Sequence, residues 1–166
     1  MRYEPEHKKQ TRDRIVRNAA RKLRAEGLSG PGVASVMKAS GLTVGGFYKH
    51  FRSKEELLVD ALALGFSEFY EIARSALRKV PREKWWREIV RWYLSPEHCD
   101  HPATGCPVAA LAPEIARAKP SLKKKVAGRI EGDARRRAAD VVDDNPVCRI
   151  KRQPACSITS AESSDE

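Results

Sequence analysis

From Thr11 onward the apolar side chains Ile15, Val16, Ala19, Ala20 and Leu23 recur at i, i+1, i+4, i+5 and i+8, with Arg and Lys on the other faces. This is one stripe of a 3.6-residue period, and it predicts an amphipathic helix closed by Gly27. After the loop Ser29-Gly30-Pro31-Gly32, the residues Val33, Val36 and Met37 predict a second helix of about two turns, stopped at Gly41 by the φ freedom of glycine. Thr43 is placed to cap a third short helix over 44–50, and Ser53 with Glu56 three residues on forms a capping box that opens a fourth. Leu57, Leu58, Ala61, Leu62, Gly65, Phe66, Phe69, Ile72, Ala73, Ala76 and Leu77 carry that fourth helix towards Pro81. It is roughly 25 residues, or about 38 Å, long enough to couple two domains.

Trp85, Trp86, Ile89, Val90, Trp92, Tyr93 and Leu94 make an aromatic fifth helix, followed by a polar loop over 95–105. Pro107 suits the first turn of a sixth helix, whereas Pro113 inside the run 108–115 removes a backbone bond and predicts a kink or two short helices. Ser121 is placed to cap a seventh helix with Leu122, Val126 and Ile130 inward, fading through Arg135, Arg136 and Arg137 towards Asp140. From Asp143 the apolar period stops and Ser, Pro and charge dominate, so 143–166 reads as a disordered tail. The fold class is therefore all-α. The division expected is a three-helix head over 1–54, a helical domain over 55–142 and the tail.

Composition narrows the classes. With 41% hydrophobic and 33% charged residues the chain can build a core, and no run approaches eighteen apolar residues. The charged N-terminus lacks the apolar centre of a secretory signal, which points to a cytoplasmic address without membrane contact. The net charge of +10 is unevenly placed: residues 1–54 hold 13 Lys+Arg and 4 Asp+Glu, a net of +9, which leaves 19 and 18 for the remainder, a net of +1. A polyanion partner is the simplest physical reading of so basic a segment, a solvated basic face the alternative.

Two short helices joined by a glycine turn in a basic segment form the helix-turn-helix pattern, whose second helix enters the major groove of DNA. Here that element is Thr43-Val44-Gly45-Gly46-Phe47-Tyr48-Lys49-His50. Two adjacent glycines cost about 1 kcal/mol each within a helix, and close approach to a surface such as DNA supplies a reason for them. Free N–H groups at Ser53-Lys54 favour a phosphate, and Lys54 adds a charge. The alternative is a three-helix packing domain.

The segment Gly41-Leu42-Thr43-Val44-Gly45-Gly46-Phe47-Tyr48-Lys49-His50-Phe51-Arg52-Ser53-Lys54-Glu55-Glu56-Leu57-Leu58 resembles the signature of the TetR family of transcriptional regulators. Thr104-Gly105-Cys106-Pro107-Val108-Ala109-Ala110-Leu111 is more loosely similar to the effector domain of one subgroup. The resemblance implies that Thr43, Gly45, Tyr48, His50 and Lys54 touch DNA, with Val44, Gly46 and Lys49 on the same segment, while Phe47 and Phe51 lock it into the core. It further implies a homodimer on a palindromic double-stranded operator, acting as a repressor released by a small-molecule effector, with no cofactor and no enzymatic activity. Gly30-Pro31-Gly32 departs from the family, which usually has Thr or Ser there, as does Val44, where some members carry a polar side chain. Members dimerise through two last long helices, whereas this chain offers at most one, 121–140. The helical domain thus reads as truncated, by a reading frame shifted or cut after about Gly132 or as a natural variant pairing through its sixth and seventh helices. A weak dimer or a monomer is expected.

Cys99, Cys106, Cys148 and Cys156 lack framework spacing, so no structural disulfide is expected. His98-Cys99-Asp100-His101 with Cys106 gathers five possible metal ligands, but without paired spacings it reads first as a polar loop and otherwise as the zinc or thiol site of an enzyme. Cys106 stands at a predicted helix start, where the dipole favours a thiolate and hence a redox or effector role; lining a pocket as a buried small residue is the alternative. Trp85, Trp86, Trp92 and Tyr93 either line an effector site or form a helix core. A non-sensing architectural DNA binder is the third reading.

Overall fold

The computed structural model describes residues 5–141, with side chains over 6–137. The expected tail and the question of the last dimerisation helix lie outside the described residues, as do Cys148 and Cys156. The described residues up to Asp133 form one compact unit, and the described helix end 134–141 belongs to a second. The elements are α1 (Pro5–Glu26), α2 (Val33–Ala39), a 3-10 helix (Val44–Lys49), α3 (Lys54–Leu77), a 3-10 turn (Arg82–Lys84), α4 (Trp85–Tyr93), α5 (Pro96–Asp100), α6 (Pro107–Arg117) and α7 (Pro120–Val141). Among the described residues there is no strand, as an all-α fold requires.

α1 begins six residues before Thr11, because 6–10 are polar residues of good helix propensity that give no apolar signal. Gly27 ends it at φ 81°, its N–H donating to the Leu23 carbonyl at 2.9 Å, and Gly41 follows α2 at φ 68°. Gly27 has a second reason to lack a side chain: a Cβ there would lie 2.6 Å from Glu114 Oε1.

The segment after Gly41 is a 3-10 helix rather than an α-helix, and the Thr43 side chain does not cap it. The bond of Gly46 N–H to the Thr43 carbonyl, 3.1 Å, is the i to i+3 type that suits so short a piece. At α3 the capping box holds, with Ser53 Oγ accepting from Glu56 N–H at 3.1 Å. The Glu56 carboxylate, however, accepts from Arg52 N–H at 2.8 Å, one residue ahead of the cap itself.

Three further expectations are corrected. The loop 95–105 contains α5, whose start is set by Ser95 Oγ accepting from His98 N–H and by Pro96 in the first turn. Pro113 leaves α6 one continuous helix, so of the two alternatives, a kink or two short helices, the second does not hold. α7 starts before Ser121: the Lys119 carbonyl accepts from Leu122 and Lys123 at 3.0 and 3.1 Å, so Lys119 holds the cap position and Pro120 the first turn.

The α1 stripe is buried whole and meets Val36, Met37, Phe47, Phe51, Leu57, Ala61 and Leu62 in one core cluster, each large apolar side chain contributing about 1.5–3 kcal/mol. Leu111 of α6 and Val126 of α7 enter the same cluster, so the later helices pack directly on the three-helix head. Arg24 adds a polar tie. Its side chain is 3% exposed, with Nε donating to the Ala103 carbonyl at 2.7 Å and Nη2 bonded to Glu68 Oε2 at 3.1 Å.

Candidate nucleic-acid interface

Phe47 and Phe51 lie buried and stacked, ring centroids 5.4 Å apart, and fix the 3-10 helix to the core. With those two inward, Tyr48 and Lys49 between them face out, Tyr48 at 76% exposure; Val44 is 50% exposed, and Thr43, Gly45 and Lys54 on either side are exposed as well. A Cβ at Gly45 would meet nothing within 4 Å, and one at Gly46 would make an ordinary 3.7 Å contact with Met37 Cε. Nothing within the described residues therefore demands the pair of glycines, and the space over Gly45 opens outward.

Lys38, Lys49, Arg52 and Lys54 form no ion pair or side-chain hydrogen bond among the described residues. Arg52 was not singled out by sequence, although it stands in the same motif, between Phe51 and the Ser53 cap. His50 is half-buried, and its Nδ1 is buried without a hydrogen-bond partner. Burial first, then the charges of Lys8, Arg12 and Lys49, hold its pKa below the ordinary 6.5. The imidazole thus stays neutral in the folded protein where an unfolded one would be protonated. Stability from this site is present above pH 6.5 and is lost as pH falls through the lowered value. Lys8 and Arg12 of α1 belong to this electropositive corner, which the linear motif did not reveal.

Behind the surface the charges are paired. Arg12 bonds Glu56 at 3.2 Å and also Asp60, with its guanidinium 4.6 Å over the Phe51 ring. Among the described residues Lys38, Lys49, Arg52 and Lys54 thus stay unpaired on the outside while Arg12 is neutralised behind them, an arrangement that leaves a local positive potential.

The residues proposed for an effector separate into two groups. Trp85 Nε1 donates to the Val80 carbonyl at 2.8 Å, and Trp86 is 61% exposed beneath the Arg87 guanidinium. Neither belongs to the cluster that Trp92 and Tyr93 build with Phe69 and His98, whose imidazole lies 5.2 Å from Trp92 and 4.5 Å from Tyr93. His98 Nε2 accepts from Cys106 N–H at 3.1 Å, which fixes it as an acceptor. The Cys106 thiol is buried beside the Tyr93 hydroxyl and, with burial, raises the phenol above its ordinary range. Phe69 and His98 are therefore the members of this cluster that sequence did not place with Trp92 and Tyr93: Phe69 was one apolar position among many, and His98 read first as a polar-loop residue and otherwise as part of a zinc or thiol site. Among the described residues no His, Cys, Asp and Glu group is placed to hold a metal ion, and the His98 lone pair is already taken.

Cys99 is exposed and Cys106 is 7% exposed. Mass-spectrometric timing of iodoacetamide labelling should find Cys99 modified about a hundredfold faster, the ratio expected if labelling of the buried Cys106 waits on a local opening that costs about 3 kcal/mol. Equal rates would show that this thiol is freely accessible.

Residues 15–61 match the model of the bacterial regulatory proteins of the tetR family. The crystal structure of a TetR family transcriptional regulator from Cytophaga hutchinsonii is similar, with a TM-score of 0.65 and 21% sequence identity over 78% of this chain and 65% of that one. The chain spans just under two thirds of that neighbour's length, and the likeness includes helices beyond the matched head. No curated protein matches the chain. Among the described residues no helix is long and apolar enough to cross a membrane. The matched segment covers the capped, phenylalanine-anchored head from the α1 stripe into α3, so this head is similar to that of the bacterial regulatory proteins of the tetR family, and the neighbour shares the all-α fold that follows it.

Proposed function

We propose that the protein is a DNA-binding transcriptional regulator that docks the 3-10 helix Val44–Lys49 in the major groove of an operator. The observation that carries this is the outward row of Tyr48, Lys49, Arg52 and Lys54, without ion pairs among the described residues, on a segment anchored by Phe47 and Phe51. In this reading Thr43, Tyr48, His50 and Lys54 hold phosphates, Val44 meets base edges, and Gly45 and Gly46 admit the backbone closely. A two-fold homodimer on a palindromic site, acting as a repressor in the cytoplasm, is the form the family supports. Residues 55–142 then serve as effector and dimerisation domain, with the Phe69, Trp92, Tyr93, His98 and Cys106 cluster as the place where a small molecule or thiol reagent acts.

Selection of bound duplexes from a random pool tests the reading, and failure to enrich any sequence or to bind duplex DNA at all would refute it. With the selected site, Tyr48→Phe and Lys54→Ala should weaken binding at unchanged helicity. Lys54→Ala should also lower the slope of log K against log salt by about one unit, since one phosphate contact is lost. An unchanged slope removes Lys54 from the interface.

For His50, a phosphate placed against the ring raises the lowered pKa on binding, so a proton is taken up. Affinity should rise as pH falls from 8 to 6, and His50→Gln should flatten that dependence. A pH profile identical in the two proteins would place His50 in a packing role.

A further inference from the structure

The even balance of charge beyond residue 54 conceals a local excess: 117–129 contains Arg117, Lys119, Lys123, Lys124, Lys125 and Arg129, with no Asp or Glu. This stretch is the corner between α6 and α7, and it is held against the head on both sides. Before the corner, the Glu114 carboxylate accepts from Leu28 N–H at 2.9 Å, at the loop joining α1 to α2. After it, Lys125 pairs with Glu55 in the first turn of α3, and Arg129 pairs with Asp60 at 3.4 Å. Leu122 and Val126 pack on the same core as the head, so the corner is a fixed part of its surface.

The six cations do not have equal freedom. Lys125 and Arg129 are committed to carboxylates, and Lys123 Nζ donates to the Ala116 carbonyl at 3.2 Å near the end of α6. Arg117, Lys119 and Lys124 are exposed and have no ion pair or side-chain hydrogen bond among the described residues. Their position matters because Glu55, which anchors α7, is the residue after Lys54. On the other flank, the stretch 28–35 at the start of α2 contains no cation of its own.

We propose that Arg117, Lys119 and Lys124 form an auxiliary phosphate-binding edge that extends the interface of the head onto the DNA backbone beside the recognition segment. This rests on the DNA-binding reading above. The corner supplies charge where the loop before α2 has none, and its rigid seating avoids most of the ordering cost that a flexible basic arm would carry. Contacts of this kind add affinity without sequence preference, so the edge acts on generic duplex as strongly as on an operator.

The test uses the full chain and a fluorescein-labelled 40-base-pair mixed-sequence duplex, with anisotropy titrations across a range of sodium chloride. The triple variant Arg117→Gln, Lys119→Gln and Lys124→Gln is compared with wild type and with Lys54→Gln, all checked by circular dichroism and thermal midpoint. The triple variant is expected to lower the slope of log K against log salt by about two to three units and to weaken low-salt binding on the order of a hundredfold. Lys124→Gln alone, the more conservative change, should lower the slope by about one unit. If Lys54→Gln flattens the slope while both corner variants leave it unchanged, the edge is a solvated face and the head still binds DNA. If wild type fails to bind the duplex, the DNA-binding reading fails and the edge with it. Loss of binding to phosphatidylserine vesicles in the triple variant, with the DNA slope intact, would assign the corner to a membrane surface and overturn the proposal.

Discussion

Phe51→Ala is expected to destabilise the head by about 3–5 kcal/mol, the usual cost of emptying an aromatic core site. Phe51 is 2% exposed, stacks on Phe47 and lies beneath the Arg12 guanidinium, so truncation removes the second anchor of the 3-10 helix as well as a cation–π contact. A domain of this size has about 5–15 kcal/mol in all, and such a loss takes a large part of it. Urea unfolding followed by circular dichroism measures it. Phe51→Leu, which keeps most of the volume, should cost well under half as much. If Phe51→Ala shifts the midpoint no more than Phe51→Leu, the ring is not an anchor.

The second large effect is expected at Arg24. Arg24→Met leaves the Ala103 carbonyl without its donor and Glu68 without its cation, at a site where the guanidinium is almost wholly buried. Losing a buried ion pair costs up to about 3–5 kcal/mol, but Glu68 is 32% exposed and water relieves part of the penalty, so about 2–3 kcal/mol is expected. Arg24→Met combined with Glu68→Met should recover part of that loss, because no carboxylate is then stranded. A double variant no more stable than the single one would show that packing of the Arg24 stem, and not the charge, accounts for the effect.

What the linear sequence revealed of this molecule follows from the range of the forces involved. The α1 stripe, the turns at Gly27 and Gly41 and the Ser53 cap depend on neighbours within four residues, and all were readable from spacing. Phe47 and Phe51 were readable as core because the motif around them is specific. The choice of 3-10 over α for Val44–Lys49 is a matter of a few hydrogen bonds, below what propensity resolves. The starts of α5 and α7 were missed or shifted although Ser-Pro-Glu and Lys-Pro-Ser carry the signals, because the polar character of 95–105 outweighed a one-turn helix and two residues competed for one cap. Arg24 was illegible for another reason: its partners are Glu68 and Ala103, and nothing in a helical period says that a basic position on the flank of the stripe turns inward. The same holds for His98, whose role as acceptor to Cys106 N–H is set by two helices meeting. The basic corner of α6 and α7 was present in the sequence, and summing charge over 55–166 averaged it away.

The bareness of the recognition segment bears on how much sequence one head can distinguish. Of its six residues, Gly45 and Gly46 present no side chain and Phe47 is buried, which leaves Val44, Tyr48 and Lys49 facing outward. An isopropyl group has neither donor nor acceptor, and the base-edge feature it can favour is a thymine methyl. Each well-read base pair contributes about 1–3 kcal/mol of discrimination, whereas a regulator must prefer its site by about 4–10 kcal/mol over the rest of a genome. On the DNA-binding reading, a single head therefore carries little information. The remainder has to come from geometry: the separation of two half-sites and the ease with which the intervening steps deform. Operators for such a protein should tolerate many base changes within a half-site and few insertions between them.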